Sequence, residues 1–246
     1  MHATQPLVAL LLGAVAFVAA TLAAVTGFGG AAVLLPVLAA VFGVREAIPI
    51  LTVAQLIGNG SRVWFNRREV DWRVVGWFAL GAVPFAFAGG FLFARAPLSA
   101  LTRLLGVFLI LVVVWRRLHP GPPRRPPLRS FTLLGAGSAF LSALLGSVGP
   151  IMAPFFLAFG LVRGAYIGTE AMSTVVMHVV KLVAYGQGSL LSDRAVLAGL
   201  ALGPIMVLGS WTGKRIVDRL PERVFVLLIE LTLIAAGLLF LIRGSS

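Results

Sequence analysis

Long apolar runs, separated by short breaks, constrain this chain more than any other feature. They cover residues 7–43, 47–65, 72–93, 98–115, 128–145, 151–162, 165–185, 195–211 and 224–242. An uninterrupted apolar run of about 18 residues or more is long enough to cross a bilayer as a helix. Charged residues make up 11% of the chain, against about 25% in soluble domains, and the mean hydropathy is +1.03. A globular core of this size could not hide so much apolar surface, so lipid must solvate much of it. A membrane barrel would instead alternate weakly over stretches of roughly ten residues. The expected class is therefore an all-α polytopic membrane protein.

Net charge is 20 − 8 = +12. In a soluble protein that excess would raise nucleic acid as a partner. Here the arginines cluster between apolar runs, as in helical membrane proteins that fix their orientation by charge. The expected partners are membrane lipid and a small anion, and nucleic acid is not expected. The chain has no cysteine, which excludes disulfides and thiolate metal sites; no metal and no cofactor are expected. Residues 1–26 lack the basic start of a signal peptide, with only His2 ahead of the apolar run, although the alanines at 19–24 resemble a cleavage site. Their removal would leave the first half without a segment that the second half keeps, so they are read as mature protein.

The tract 7–43 is broken at Gly27-Phe28-Gly29-Gly30, ahead of Pro36. Two full crossings need about 40 residues and a turn, so the tract is expected to form a hairpin of shortened or broken helices. Full crossing and re-entry both stay open. Three spanning segments follow (47–65, 72–93 and 98–115), and then the proline- and arginine-rich stretch 119–127, which no helix could accommodate. The order then restarts. A second break, Gly146-Ser147-Val148-Gly149-Pro150, precedes another short apolar run containing Pro154; Asn59 falls on His178 and Arg62 on Lys181, and Asp71 and Asp193 each open the next segment. The chain is expected to be a duplicated unit of roughly 118 residues: a first repeat (1–118), a cytoplasmic linker (119–127) and a second repeat (128–246). Each repeat is a glycine-broken helical hairpin plus three transmembrane helices.

Thirteen of the twenty basic residues lie in alternate breaks: the loop with Arg67, Arg68 and Arg73; the linker region with Arg116, Arg117, Arg124, Arg125 and Arg129; Arg163; and a loop with Lys214, Arg215, Arg219 and Arg223. Arg45, Arg95, Arg194 and Arg243 fall in the others. Placing the thirteen in the cytoplasm satisfies the positive-inside rule, with both termini outside and an odd number of crossings per repeat. The two repeats would then have inverted topology, as in many secondary transporters.

Polar residues inside the runs share a face. Thr52, Gln55, Asn59 and Arg62 are spaced by three and four, and so are Glu170, Thr174, His178 and Lys181. Ionisable groups are costly in lipid, so both stripes should face the interior, where a donor-rich lining suits an anion. Plainer roles exist for each. Arg62 and Lys181 are close enough to segment ends to snorkel to headgroups, and Gln55 and Asn59 could hydrogen-bond between helices. His178 could be a satisfied interior histidine, and Glu170 could pair with a nearby cation. Glu230 could pair with Arg103 or carry a coupling proton. A glycine break alone is ordinary packing, as Gly209 and Gly213 would be, but its recurrence favours functional turns. Such turns bare backbone N–H groups at a helix start, where anions bind.

Several stretches resemble the TauE/SafE sulfite-exporter family. In the first half these are Gly27-Phe28-Gly29-Gly30 ahead of Pro36, Arg45-Glu46-Ala47-Ile48-Pro49, and the run from Trp64 through Asn66-Arg67-Arg68-Glu69 to Asp71-Trp72. In the second half they are Gly168-Thr169-Glu170-Ala171, the stretch Met177-His178-Val179-Val180-Lys181, and Tyr185-Gly186. The second turn departs from the first, with serine, valine and proline among its glycines. The resemblance implies movement of small anions, typically sulfite or organosulfonates, across the inner (cytoplasmic) membrane. The residue chemistry suggests a site made of Gly27, Phe28, Gly29, Gly30, Gly146, Ser147 and Gly149, together with Gln55, Asn59, Arg62, Thr174, His178 and Lys181. Glu170 and His178 are the candidates for proton coupling. An intramembrane enzyme using His178 and Glu170, or a passive anion channel, are the alternatives; no zinc-protease pair or nucleophile elbow supports an enzyme. The identity of the anion and the oligomeric state are not legible in the sequence.

Overall fold

The structure, a computed structural model, describes residues 4–95, 125–146, 148–228 and 231. The expected segment 98–115, most of the linker, Arg103, Arg116, Arg117, Ser147, Glu230, Arg243 and most of the final run lie outside the described residues. The described residues form helices joined by short turns, with no strand among them. The helices are α1 (Thr4–Thr26), α2 (Gly30–Phe42), α3 (Val44–Phe65), α4 (Trp72–Arg95), α5 (Ser130–Leu145), α6 (Gly149–Phe159), α7 (Arg163–Gln187) and α8 (Asp193–Arg219). By length and composition α1, α4, α7 and α8 can each cross a membrane. The protein is a multi-pass membrane protein.

Local chemistry sets the helix ends. Asp71 opens α4, its Oδ1 accepting from the N–H groups of Arg73 and Val74 at 3.0 and 3.3 Å. At α8 that role belongs to Ser192, whose Oγ accepts from Ala195 N–H at 3.1 Å, and Asp193 is the first helical residue instead. Gly43, with φ +79°, is the single residue between α2 and α3, a conformation that favours glycine.

The glycine breaks fall where the sequence puts them, but the arms of the first hairpin are unequal. α1 has 23 residues and is not shortened, whereas α2 has only 13. In the second half both arms are short, at 16 and 11 residues. A second correction concerns α8. It continues eight residues past Trp211, so Lys214, Arg215 and Arg219 lie on its last turns rather than in a loop. Basic side chains suit that position, because the carbonyl end of a helix attracts cations.

Small residues let the long helices touch. α1 packs along α8 and α4 along α5, while α3 packs on α7 and α8, and α4 also on α7. At the α4–α5 contact a side chain on Gly81 would run into the Thr132 carbonyl, and one on Gly135 into that of Phe78. At the α1–α8 contact Gly209 and Gly213 abut the Phe17 and Thr21 carbonyls, the close-packing role expected of small residues between membrane helices.

Polar contacts gather at two ends of the bundle. At one, Lys214 lies 3.8 Å from Glu69, Arg163 donates to the Asp218 carbonyl at 3.0 Å, and Arg125 covers the Phe159 ring. At the other, Arg45 donates to the Ala94 carbonyl at 3.2 Å, and Arg194 lies 3.9 Å from Glu46 and over Phe42. α3 therefore begins at the second end and finishes at the first, and α7 runs the opposite way. α2 returns to the second end and α6 to the first.

Candidate functional site

At 1.5 Å per residue, α2 is about 20 Å long and α6 about 17 Å. Entering from opposite ends, they together exceed a hydrocarbon core of about 30 Å, so their glycine-rich starts must meet inside the bundle. They do. Phe28 of the first turn packs so closely on Gly149 of the second that an added Cβ would sit 2.3 Å from the Phe28 Cβ. Gly27 (φ +82°) and Gly146 (φ +81°) take the same left-handed conformation, which lets the chain leave one helix and turn into the next.

Between the turns lies a small cavity of about 40 Å³. Gly27, Phe28, Gly29, Gly30, Gly146 and Gly149 form its backbone-rich wall; Gln55, Arg62, Glu170, Thr174 and His178 supply polar lining, and Met152 and Met177 are among its apolar lining. The first hydrogen bond of α2 runs from Val33 N–H to Gly29 at 3.2 Å, so the N–H groups of Gly30, Ala31 and Ala32 precede the helical ladder. In α6, Ile151 N–H reaches Val148 at 3.0 Å.

Other expected members lie elsewhere. Asn59 faces a smaller neighbouring cavity of about 10 Å³, shared with Gln55 and Arg62. Lys181 is fully buried behind the wall, its Nζ 3.2 Å from the Oγ of Ser142, which does line the main cavity. Thr52 is satisfied by its own helix, donating to Ile48 at 2.7 Å.

Arg62 and Lys181 both point inward, not to headgroups. The Arg62 guanidinium donates to the carbonyls of Ala23 and Gly27 at 2.8 and 3.1 Å, to Asn59 Oδ1, and to Glu170 at 3.5 Å. It thus adds a second donor to the Ala23 carbonyl, which already accepts from Gly27 N–H at 2.9 Å, and meets the Gly27 carbonyl just past the end of α1. Glu170 also accepts from Thr174 at 3.0 Å, so its pairing role is realised. His178 differs: it is 2% exposed, and neither ring nitrogen has a partner among the described residues.

The sequence reading gave the chain's two tyrosines no anchoring role, Tyr185 entering only through the family resemblance. Both lie on α7, wholly buried, and each ties down the approach to one turn. Tyr166 donates to the Thr26 carbonyl at 3.0 Å and covers Gly27, and Tyr185 donates to the Ala143 carbonyl at 2.6 Å. A lone phenol in an apolar helix needs a partner once buried, which was the available signal. Ser142 carried none.

Two short helices entering from opposite ends, their starts meeting at a cavity inside the bundle, define a multi-pass membrane protein built around a pair of broken helices. The family model described as Sulfite exporter TauE/SafE matches residues 12–240, nearly the whole chain. The chain belongs to that family. No curated protein and no solved structure matches it.

Proposed function

We propose that this protein is a secondary transporter moving a small oxyanion, of the sulfite or organosulfonate class, across the cytoplasmic membrane. The observation that carries the reading is the meeting of the two glycine turns at one polar cavity. Helix starts bear partial positive charge and free N–H groups, which suits them to oxyanions. Gln55, Thr174 and His178 add side-chain polarity, and Lys181 adds charge from behind Ser142. The family membership supports both the transport class and the anion.

The mechanism is alternating access between two inverted repeats, 1–118 and 128–246, joined by the linker 119–127. Three observations support it. α3 and α7 run in opposite directions. The packing is reciprocal, with α1 on α8 matched by α5 on α4. In each repeat the cation at the matching position reaches the residue at the matching place in the first helix: Arg62 to Ala23, and Lys181 to Ser142, with 62 − 23 = 181 − 142. The basic end faces the cytoplasm by the positive-inside rule. A coupling proton would ride on His178, because Glu170 is engaged by Arg62 and Thr174.

Counterflow in proteoliposomes tests this. Labelled sulfite should enter faster, and saturably, when the vesicles are preloaded with unlabelled sulfite. Flux that rises linearly with concentration and ignores preloading would indicate a channel. Absence of flux would remove the reading.

A further inference from the structure

The charges around the cavity do not cancel, and the remainder points to the valence of the ligand. Arg62 is matched by Glu170 at 3.5 Å, and its other donors are taken by Ala23, Gly27 and Asn59. Lys181 has no carboxylate within ion-pair distance among the described residues; its Nζ donates to the Ser142 hydroxyl. With Lys181 protonated, as an anion in the cavity would favour, two cations against one carboxylate leave a single positive charge, buried in protein one hydrogen bond behind the cavity wall. An unpaired buried charge is costly unless something completes it.

Beside it, His178 has two unpartnered ring nitrogens and lines the cavity. A neutral imidazole offers one donor and one acceptor. The unused hydrogen-bonding capacity and the unmatched charge lie within one turn of α7, three residues apart.

Resting on the transporter reading above, we infer that the site takes a monovalent oxyanion and discriminates against divalent ones, Lys181 supplying the balancing charge and His178 the side-chain hydrogen bonds. A single negative charge neutralises the site. A second has no cation left to meet and faces the Glu170 carboxylate, which lines the same cavity. Like charges so placed give selectivity by repulsion. An oxyanion that carries a proton, such as hydrogen sulfite, can either donate to or accept from an imidazole nitrogen. An alkylsulfonate can only accept, and sulfate adds a charge the site cannot balance.

The test is competition against labelled sulfite counterflow by methanesulfonate and by sulfate, with purified wild-type protein at neutral pH. Half-inhibition is expected at a methanesulfonate concentration at least tenfold below that for sulfate. Equal or stronger inhibition by sulfate overturns the inference and leaves the transport reading standing, whereas absence of sulfite counterflow removes both. Glu170→Gln, which deletes the repelling charge, should narrow the sulfate-to-methanesulfonate ratio at least tenfold. Lys181→Gln should weaken methanesulfonate at least tenfold while Lys181→Arg retains it. An unmoved ratio in a folded Glu170→Gln protein contradicts the charge count. If these variants do not fold, the wild-type ratio decides alone.

Discussion

Arg62 on α3 and Glu170 on α7 face each other at 3.5 Å in the interior, an ion pair between the two halves of the chain. Arg62 also holds the end of α1 through Ala23 and Gly27, so the pair belongs to the framework of the first turn.

Removing one partner leaves a charge stranded in protein. Arg62→Ala should therefore destabilise the protein by about 3–5 kcal/mol, whereas replacing both by apolar residues of similar volume, Arg62→Met with Glu170→Leu, should recover most of that loss. Thermal unfolding of the purified protein in detergent measures it. A single variant as stable as wild type would show that the pair holds nothing together.

The contact of Phe28 with Gly149 predicts a size-dependent defect. Gly149→Ala places a methyl group 2.3 Å from the Phe28 Cβ, an overpacking expected to cost about 1–3 kcal/mol and to abolish sulfite counterflow. Adding Phe28→Gly should recover much of that loss, because the colliding Cβ is gone. Failure of the second change to help would mean that the turns do not press on each other.

Close helix packing separates glycines that look alike in the sequence. Gly81→Ala drives a Cβ to 1.9 Å from the Thr132 carbonyl, while Gly76→Ala meets nothing within 4 Å. The first should lower the melting temperature by several degrees and the second should leave it unchanged or raise it, since alanine favours helix over glycine by about 1 kcal/mol.

The tyrosine anchors make a milder prediction. Tyr185→Phe removes the donor to the Ala143 carbonyl and should cost about 1 kcal/mol, the scale of a side-chain hydrogen bond between membrane helices. A loss several times larger would assign Tyr185 a role beyond anchoring.

Much of this architecture was legible in the sequence for physical reasons. Lipid solvation forces long apolar runs, and the cost of ionisable groups in lipid forces Gln55, Arg62, Glu170 and His178 inward, so hydropathy and a three-and-four spacing suffice to find them. The matching of Arg62 to Lys181 followed from constant offset. What the sequence did not show was which cation is occupied. Glu170 lies 108 positions from Arg62, and only the packing of α3 on α7 reveals that one arginine is matched and one lysine is not. Helix lengths near the glycine breaks were equally hidden, because lipid and protein interior favour the same apolar residues. The end of α8 was misjudged as loop because a run of basic residues looks solvated whether or not the backbone stays helical.

The most direct measurement asks whether an anion sits between the turns. The chain has no cysteine, so Gln55→Cys gives a single thiol on the cavity wall, with Trp72→Cys as an exposed control. Methanesulfonate at concentrations that block sulfite counterflow should slow N-ethylmaleimide labelling of the first several-fold and leave the second unchanged. Full inhibition of counterflow with no protection at position 55 would place the anion elsewhere and contradict the account.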